Sequence, residues 1–191
     1  MVLRMSRLPR SFALGALLLA ALAHATTLLA LDVAALSKGS GAVVRGTVKS
    51  VDARWTKDGA RIMTDAVIEV RETWKGTHRE TVTVMQQGGV IGEVGQVVHG
   101  TIPFRRGDEV VLFLEPRGER FMLTGMMQGV FRVDGDTARQ ALEGDALFLD
   151  PSTRQPVQPS ALAVSLSSLR AQVVATLPTA PQPTSPVKTT P

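Results

Sequence analysis

Residues 86–100, QQGGVIGEVGQVVHG, hold five glycines, a density typical of loops that cradle phosphate with backbone N–H groups. A dinucleotide fingerprint needs G-x-G-x-x-G between a strand and a helix, and the Walker pattern needs Lys-Ser or Lys-Thr. Neither pattern is present. Val90 or Ile91 falls where the second glycine of the dinucleotide fingerprint should be, and no Lys-Ser or Lys-Thr follows the glycines before His99. We therefore interpret residues 86–103 as a long irregular connection between strands, held down by Val90, Ile91 and Val94.

A loop of this length, built on a small β domain, is a candidate surface for binding a protein partner. Trp55 and Trp74, the only two tryptophans, are further candidates because an indole ring can stack on a peptide or a sugar. The alternative is that both rings close the ends of the sheet. The predicted binding residues are Gln86, Gln87, Gly88, Gly89, Gly92, Gly95, Gln96, Trp55 and Trp74.

Catalytic and metal-binding patterns are not recognisable in the sequence. His78 and His99 each stand without a histidine or acidic partner at metal-ligand spacing. Asp108 and Glu109 are adjacent in a predicted strand, so their side chains point to opposite faces and cannot share a substrate. No G-x-S-x-G motif is present. We predict no catalytic residue, no metal ligand and no cofactor, and an enzyme with an atypical site is the third alternative.

The N-terminal residues have the pattern of a secretory signal peptide. Three arginines within the first ten residues precede an apolar run over 12–23, and Ala23-His24-Ala25 matches the small-x-small cleavage site. We predict cleavage after Ala25 and a periplasmic or secreted product. Because apolar residues continue to Leu31, an uncleaved membrane anchor is the alternative.

The charge of the predicted mature chain is close to zero. The full sequence has 21 basic and 17 acidic residues, and removal of three leader arginines leaves 18 basic residues and a net charge of +1. Nucleic-acid binders carry a clustered basic excess, so we expect no nucleic-acid partner. We also expect a monomer that does not contact the membrane once the signal peptide is removed. The sequence contains no cysteine, which excludes disulfides and thiol chemistry.

Short runs of alternating apolar and polar residues predict a mainly β domain over residues 26–177. Val44 and Val48 alternate with polar neighbours, and the phase shifts before Val51, as a β-bulge would produce. Asp58-Gly59 predicts a two-residue hairpin turn. The apolar run 110–114 predicts a central strand buried on both faces.

Two helices are expected beside the sheet. Thr27 is the predicted cap of a short N-terminal helix that ends at Gly39, and Ser160 is the predicted cap of a C-terminal helix. Together these elements predict a small OB-like antiparallel β-barrel of five to six strands, with a sandwich as the alternative. Residues 178–191, rich in proline and threonine, predict a disordered tail, or alternatively a wall-spanning or glycosylated stalk.

Three segments carry a resemblance to a known family: Gly41–Val48, Thr64–Val70 with the following Trp74-Lys75-Gly76, and Gly107–Leu114. They resemble the netrin-like, tissue-inhibitor-of-metalloprotease superfamily, and more closely uncharacterised exported bacterial proteins with the same arrangement. The resemblance covers roughly residues 36 to 133 and implies an OB-fold and an association with proteases.

The chain departs from that family at the residues responsible for inhibition. The family's inhibitors chelate the protease zinc through an N-terminal cysteine that disulfides hold against the barrel, whereas the predicted mature end here is Thr26. We therefore expect a non-enzymatic, exported protein-binding module. The resemblance implies that it associates with proteases. The alternative is an envelope-structural or glycan-binding protein that uses the two tryptophans.

Overall fold

The computed structural model of the protein describes residues 26–143 and 146–178, which form a mainly β structure with two α-helices. This confirms the prediction of a mainly β chain flanked by helices. The predicted signal peptide, residues 1–25, and all but the first residue of the predicted tail, residues 178–191, lie outside the described residues.

The helices are α1 (Val33–Gly39) and α2 (Leu166–Val174), with a 3-10 helix at Met126–Gly129. The strands are β1 (Thr26–Leu29), β2 (Ala42–Trp55), β3 (Ile62–Lys75), β4 (Thr81–Gln87), β5 (Gly89–Ile91), β6 (Val94–Gln96), β7 (Glu109–Arg117), β8 (Arg120–Leu123), β9 (Val130–Asp134), β10 (Thr137–Gln140), β11 (Ala146–Leu149), β12 (Pro156–Val157) and β13 (Ala163–Ser165).

The two longest strands, β2 and β3, form an antiparallel hairpin of 14 residues a side. Their register shifts at three points, the last between Val48 and Ser50, which confirms the predicted bulge in the first long strand. The turn differs from prediction, because residues 56–61 form a six-residue connection. Gly59 lies there in the left-handed region, and Thr56 bonds across the loop to Arg61, so the chain closes a wider turn.

Strand β7 lies at the centre of the main sheet. It pairs with β2 on one side and β9 on the other, and its C-terminal half also pairs with β8. β8 in turn pairs with β4 in parallel at Val84 and Phe121. Five pairings therefore form a cycle that begins and ends at β7: β7–β2, β2–β3, β3–β4, β4–β8 and β8–β7. Every side chain from Val110 to Leu114 is fully buried, as the uninterrupted apolar run predicts.

Alternate side chains of β7 enter two separate apolar cores. Val110, Leu112 and Leu114 join the larger core enclosed by β2, β3, β4 and β8. Val111 and Phe113 join the second core, which both helices cover. Burial on both faces makes this strand the centre of the fold, since each face removes apolar surface from water.

The helices begin later than the sequence predicts. Residues 26–29 form β1 instead of a helix, because they pair in parallel with β11, and α1 starts after Asp32, whose carboxylate accepts from the N–H of Ala35. Likewise, α2 starts after Ser165, since residues 163–165 pair with β10. No helix in residues 26–143 and 146–178 is long and apolar enough to cross a membrane.

Candidate functional site

The glycine-rich segment contains regular structure that the sequence analysis did not predict. Strands β5 and β6 form a hairpin in which Ile91 opposes Val94 and the turn consists of Gly92 and Glu93. Gly92 has a φ of +59°, a conformation that glycine adopts without steric cost. The interpretation of residues 86–103 as irregular throughout is therefore wrong for 89–96, and the Gly-Glu pair between apolar residues was the available signal.

Hydrogen bonds attach this hairpin to the first residue of β3. The backbone N–H of Ile62 donates to Oε1 of Gln96 at 2.7 Å, and the N–H of Gly88 donates to the carbonyl of Ile62 at 2.8 Å. The buried hydroxyl of Thr64 also donates to the carbonyl of Gly88 at 2.7 Å. These contacts fix the base of the hairpin and leave its turn projecting into solvent.

Glycine is required at the base of the hairpin for space. A Cβ on Gly89, whose φ is +138°, would lie 2.4 Å from Oγ1 of Thr64 and 3.3 Å from Cβ of Ala53. A side chain here would separate the hairpin from the sheet. A Cβ on Gly92 would have no heavy atom within 4 Å, so the role of Gly92 is limited to the turn.

The surface of the hairpin is apolar and exposed. Val90, Val94 and Val97 are 68%, 51% and 85% exposed, and Trp55 at the end of β2 is 43% exposed. Val90 and Val94 therefore do not hold the loop against the domain, contrary to prediction, because the polar contacts of Gln96 and Gly88 hold it instead. We call these four side chains the apolar rim.

A cavity of about 490 Å³ lies between the hairpin and the sheet, and we call it the rim cavity. Val51 and Ala53 of β2 form one wall, and Ile102 and Phe104 form another. The predicted residues Gln86, Gln87, Gly88, Gly89, Gly95 and Gln96 also line it, whereas Gly92 lies at the turn outside. Ile102 and Phe104 were not predicted, although both follow the glycine-rich run directly.

One buried polar atom at the rim cavity has no partner. The side-chain N–H of Gln86 donates to the carbonyl of Ile102 at 2.8 Å, but its Oε1 is buried without a hydrogen bond in the part of the chain that the structure describes. A buried acceptor without a donor is unfavourable by about 1–3 kcal/mol.

A second cavity of about 290 Å³ adjoins the same segment and shares Gln86 and Gln87 with the rim cavity. Met85, Met122 and Met126 line it together with His99. The side chain of Met85 is in contact with the Arg54 guanidinium, at 3.7 Å from its sulfur. The three thioethers form a deformable apolar wall beneath residues 97–101.

The two tryptophans lie at opposite ends of the β2–β3 hairpin. Trp55 pairs with Ile62, whereas Trp74 is next to Lys75, which pairs with Val43. Trp74 is only 6% exposed, packs in the core beneath the helices, and donates to Glu72 at 2.9 Å. The structure thus separates the two predicted binding tryptophans, and only Trp55 faces the rim cavity's end of the sheet.

A network of charges surrounds Glu72 on the opposite part of the sheet. Arg45 donates to Glu72 at 2.7 Å and to Glu109 at 2.5 Å. The indole N–H of Trp74, and next the guanidinium of Arg45, hold the pKa of Glu72 below its usual value, against the opposing effect of burial. All charged groups of this network have partners, which is the arrangement of a structural ion-pair cluster.

Among the described residues, the histidines and acidic residues do not converge on a common point. His78 lies 3.1 Å from the hydroxyl of Thr73, and Asp108 pairs with Arg132, while Glu109 pairs with Arg45. Within residues 26–143 and 146–178, no three His, Asp or Glu side chains are placed to hold a metal ion. No protein-family model matches this chain, and comparison with curated proteins finds no significant match.

Proposed function

We propose that the protein is a non-enzymatic, exported module that binds a protein partner through the apolar rim and the rim cavity. The observation that supports this most directly is the exposure of Val90, Val94 and Val97 beside a concave, largely apolar cavity. Exposed apolar surface costs free energy in water unless a partner covers it. The polar attachment of the hairpin holds this surface in place before a partner arrives.

The scaffold of the module is a small OB-like β-barrel in this proposal. Its support is the cycle of pairings among β2, β3, β4, β8 and β7, four antiparallel and one, β4 with β8, parallel. The bulged strand β2 pairs with both β3 and β7, as the long first strand of such a barrel does. The rim cavity lies at one end of this cycle, where loops meet.

Association with proteases is the family relation that the resemblance of residues 36 to 133 implies. The absence of cysteine removes the zinc-chelating end of that family, so a protease would be held through the apolar rim instead. The purified protein is assayed against secreted metalloproteases at micromolar concentration. Inhibition that survives loss of the apolar rim would contradict this route.

The proposal is tested with matched surface variants of the full chain. The rim variant V90D/V94D/V97D places charge on three exposed valines, and the control variant L29D/L147D/V174D does the same on exposed apolar residues elsewhere. Each serves as bait in culture supernatant and periplasmic extract. We expect the rim variant to lose the partners that the wild type and the control variant recover, and equal recovery by all three would refute the proposal.

A further inference from the structure

We infer that the partner enters the rim cavity as an extended peptide segment that carries an apolar side chain flanked by acidic residues. This inference rests on the proposed function and names the chemistry of the partner. Three independent features of the described residues support it: the free edge of β6, the apolar walls of the cavity, and the unpaired cations beside the segments that line it.

The free edge of β6 selects an extended segment. Among the described residues, β6 pairs only with β5, and Gly95 in its middle is exposed. In a hairpin closed by the Ile91–Val94 pair, the N–H and carbonyl of Gly95 point away from β5. An unpaired edge of this kind accepts another strand through main-chain hydrogen bonds.

The interior of the rim cavity selects an apolar side chain. Val51, Ala53, Ile102 and Phe104 supply apolar walls. An extended peptide presents such a side chain next to the backbone groups that pair with a strand edge. A sugar or a free anion does not offer an apolar group of matching size.

Charges beside the segments that line the cavity select acidic flanking residues. Lys57 and Arg61 lie in the loop that joins Trp55 to Ile62, and Arg105 and Arg106 follow Phe104; among described residues, none of the four forms an ion pair within 4.0 Å. Four carboxylates lie near these cations, those of Asp58, Glu93, Asp108 and Glu143. Asp108 accepts from the N–H of Arg105 and, like Glu143, pairs with Arg132. The carboxylate of Asp58 is already bonded within its own loop to Thr56 and Ala60.

Asp52, between Val51 and Ala53, points to the opposite face of β2 and does not change this balance. With Arg132 counted, five cations and four carboxylates leave an excess of one positive charge, and of these four carboxylates only that of Glu93 has no bonded partner among the described residues. The four cations without an ion-pair partner therefore favour an acidic segment over a basic one by charge complementarity.

The test uses capped synthetic peptides of about six residues, about 20 Å when extended. One alternates valine with glutamate, one alternates valine with lysine, and one contains glutamate only. Binding to the full chain is measured by backbone NMR shifts. We expect the valine-glutamate peptide to shift the signals of residues 86–98, and each other peptide to bind about tenfold more weakly or not at all.

Matched charge variants locate the effect. R61E/R106E reverses two of the four unpaired cations, and K38E/R139E reverses two exposed cations elsewhere. We expect only the first to weaken the valine-glutamate peptide and to strengthen the valine-lysine peptide. Equal binding of the glutamate-only peptide, or equal effects of both variants, overturns the inference. If the apolar-rim variant still loses its natural partner in that case, the proposed function stands and only the partner chemistry is wrong.

Discussion

The side chain of Gln96 accepts a 2.7 Å hydrogen bond from the backbone N–H of Ile62, and this bond joins the hairpin to the buried start of β3. The substitution Gln96→Leu removes the acceptor and leaves that N–H unpaired, at a cost of about 1–3 kcal/mol. We expect a lower urea midpoint and faster amide exchange at Ile62. Gln96→Glu, which keeps an acceptor oxygen, is the control. Wild-type exchange in Gln96→Leu would show that the bond does not hold the hairpin.

Two glycines of the hairpin should differ in their tolerance of alanine. Gly89→Ala places a methyl group against Thr64 in a backbone conformation unfavourable for L-residues. We expect it to lower the free energy of unfolding by roughly 2–4 kcal/mol. Gly92→Ala meets open space and costs about 1–2 kcal/mol from its positive φ alone. Denaturant unfolding of both variants checks the order. A larger loss for Gly92→Ala would contradict the close contact at the hairpin base.

Glu72 should make stability depend on pH in the acidic range. Its pKa is held below the ordinary value, first by the Trp74 N–H and then by Arg45. The Glu72 carboxylate therefore contributes fully to the stability of the fold above the ordinary glutamate pKa of about 4.3. This contribution is lost as the pH falls through the lowered pKa of the folded state. We expect Glu72→Gln to be less stable than wild type at about pH 6, with the difference narrowing towards about pH 3.

Glu119 provides the control for this pH dependence, because it is exposed and forms no ion pair within the described residues. Glu119→Gln should leave the urea midpoint close to that of the wild type at both pH values. A constant difference between wild type and Glu72→Gln across the range would contradict the lowered pKa.

Each tryptophan should report on a different part of the molecule. Trp74 is buried and Trp55 is an exposed member of the apolar rim, so Trp55→Phe should emit at shorter wavelength than Trp74→Phe. In the Trp74→Phe variant, a captured protein partner should shift the emission of Trp55. Cell-wall glycan fragments should leave it unchanged, and a glycan-induced shift would favour the glycan-binding alternative.

The periodic parts of the fold were predictable from the sequence. Alternation at Val44 and Val48 with a later change of phase predicted the bulged strand, and the apolar run 110–114 predicted the doubly buried strand. In both cases the spacing of apolar residues follows from which faces of the strand are buried, because buried faces require apolar side chains.

The parts that depend on distant partners were not predictable. Residues 26–29 have helix-compatible spacing, but their strand conformation comes from pairing with β11, more than a hundred residues away. The rim cavity likewise arises because Ile62 binds both Gly88 and Gln96, contacts that no local pattern records. The glycine-rich segment was recognised as a candidate site, but its exposed valines were expected to be covered.

The most direct test of the proposed binding surface is hydrogen–deuterium exchange on the full chain, alone and with its captured protein partner. We predict that the partner slows exchange in residues 86–104, most strongly at Gly95 on the free edge of β6, and leaves α1 and α2 unchanged. Protection confined to other parts of the chain, with residues 86–104 exchanging as in the free protein, would contradict the claim that the hairpin and its cavity form the binding surface.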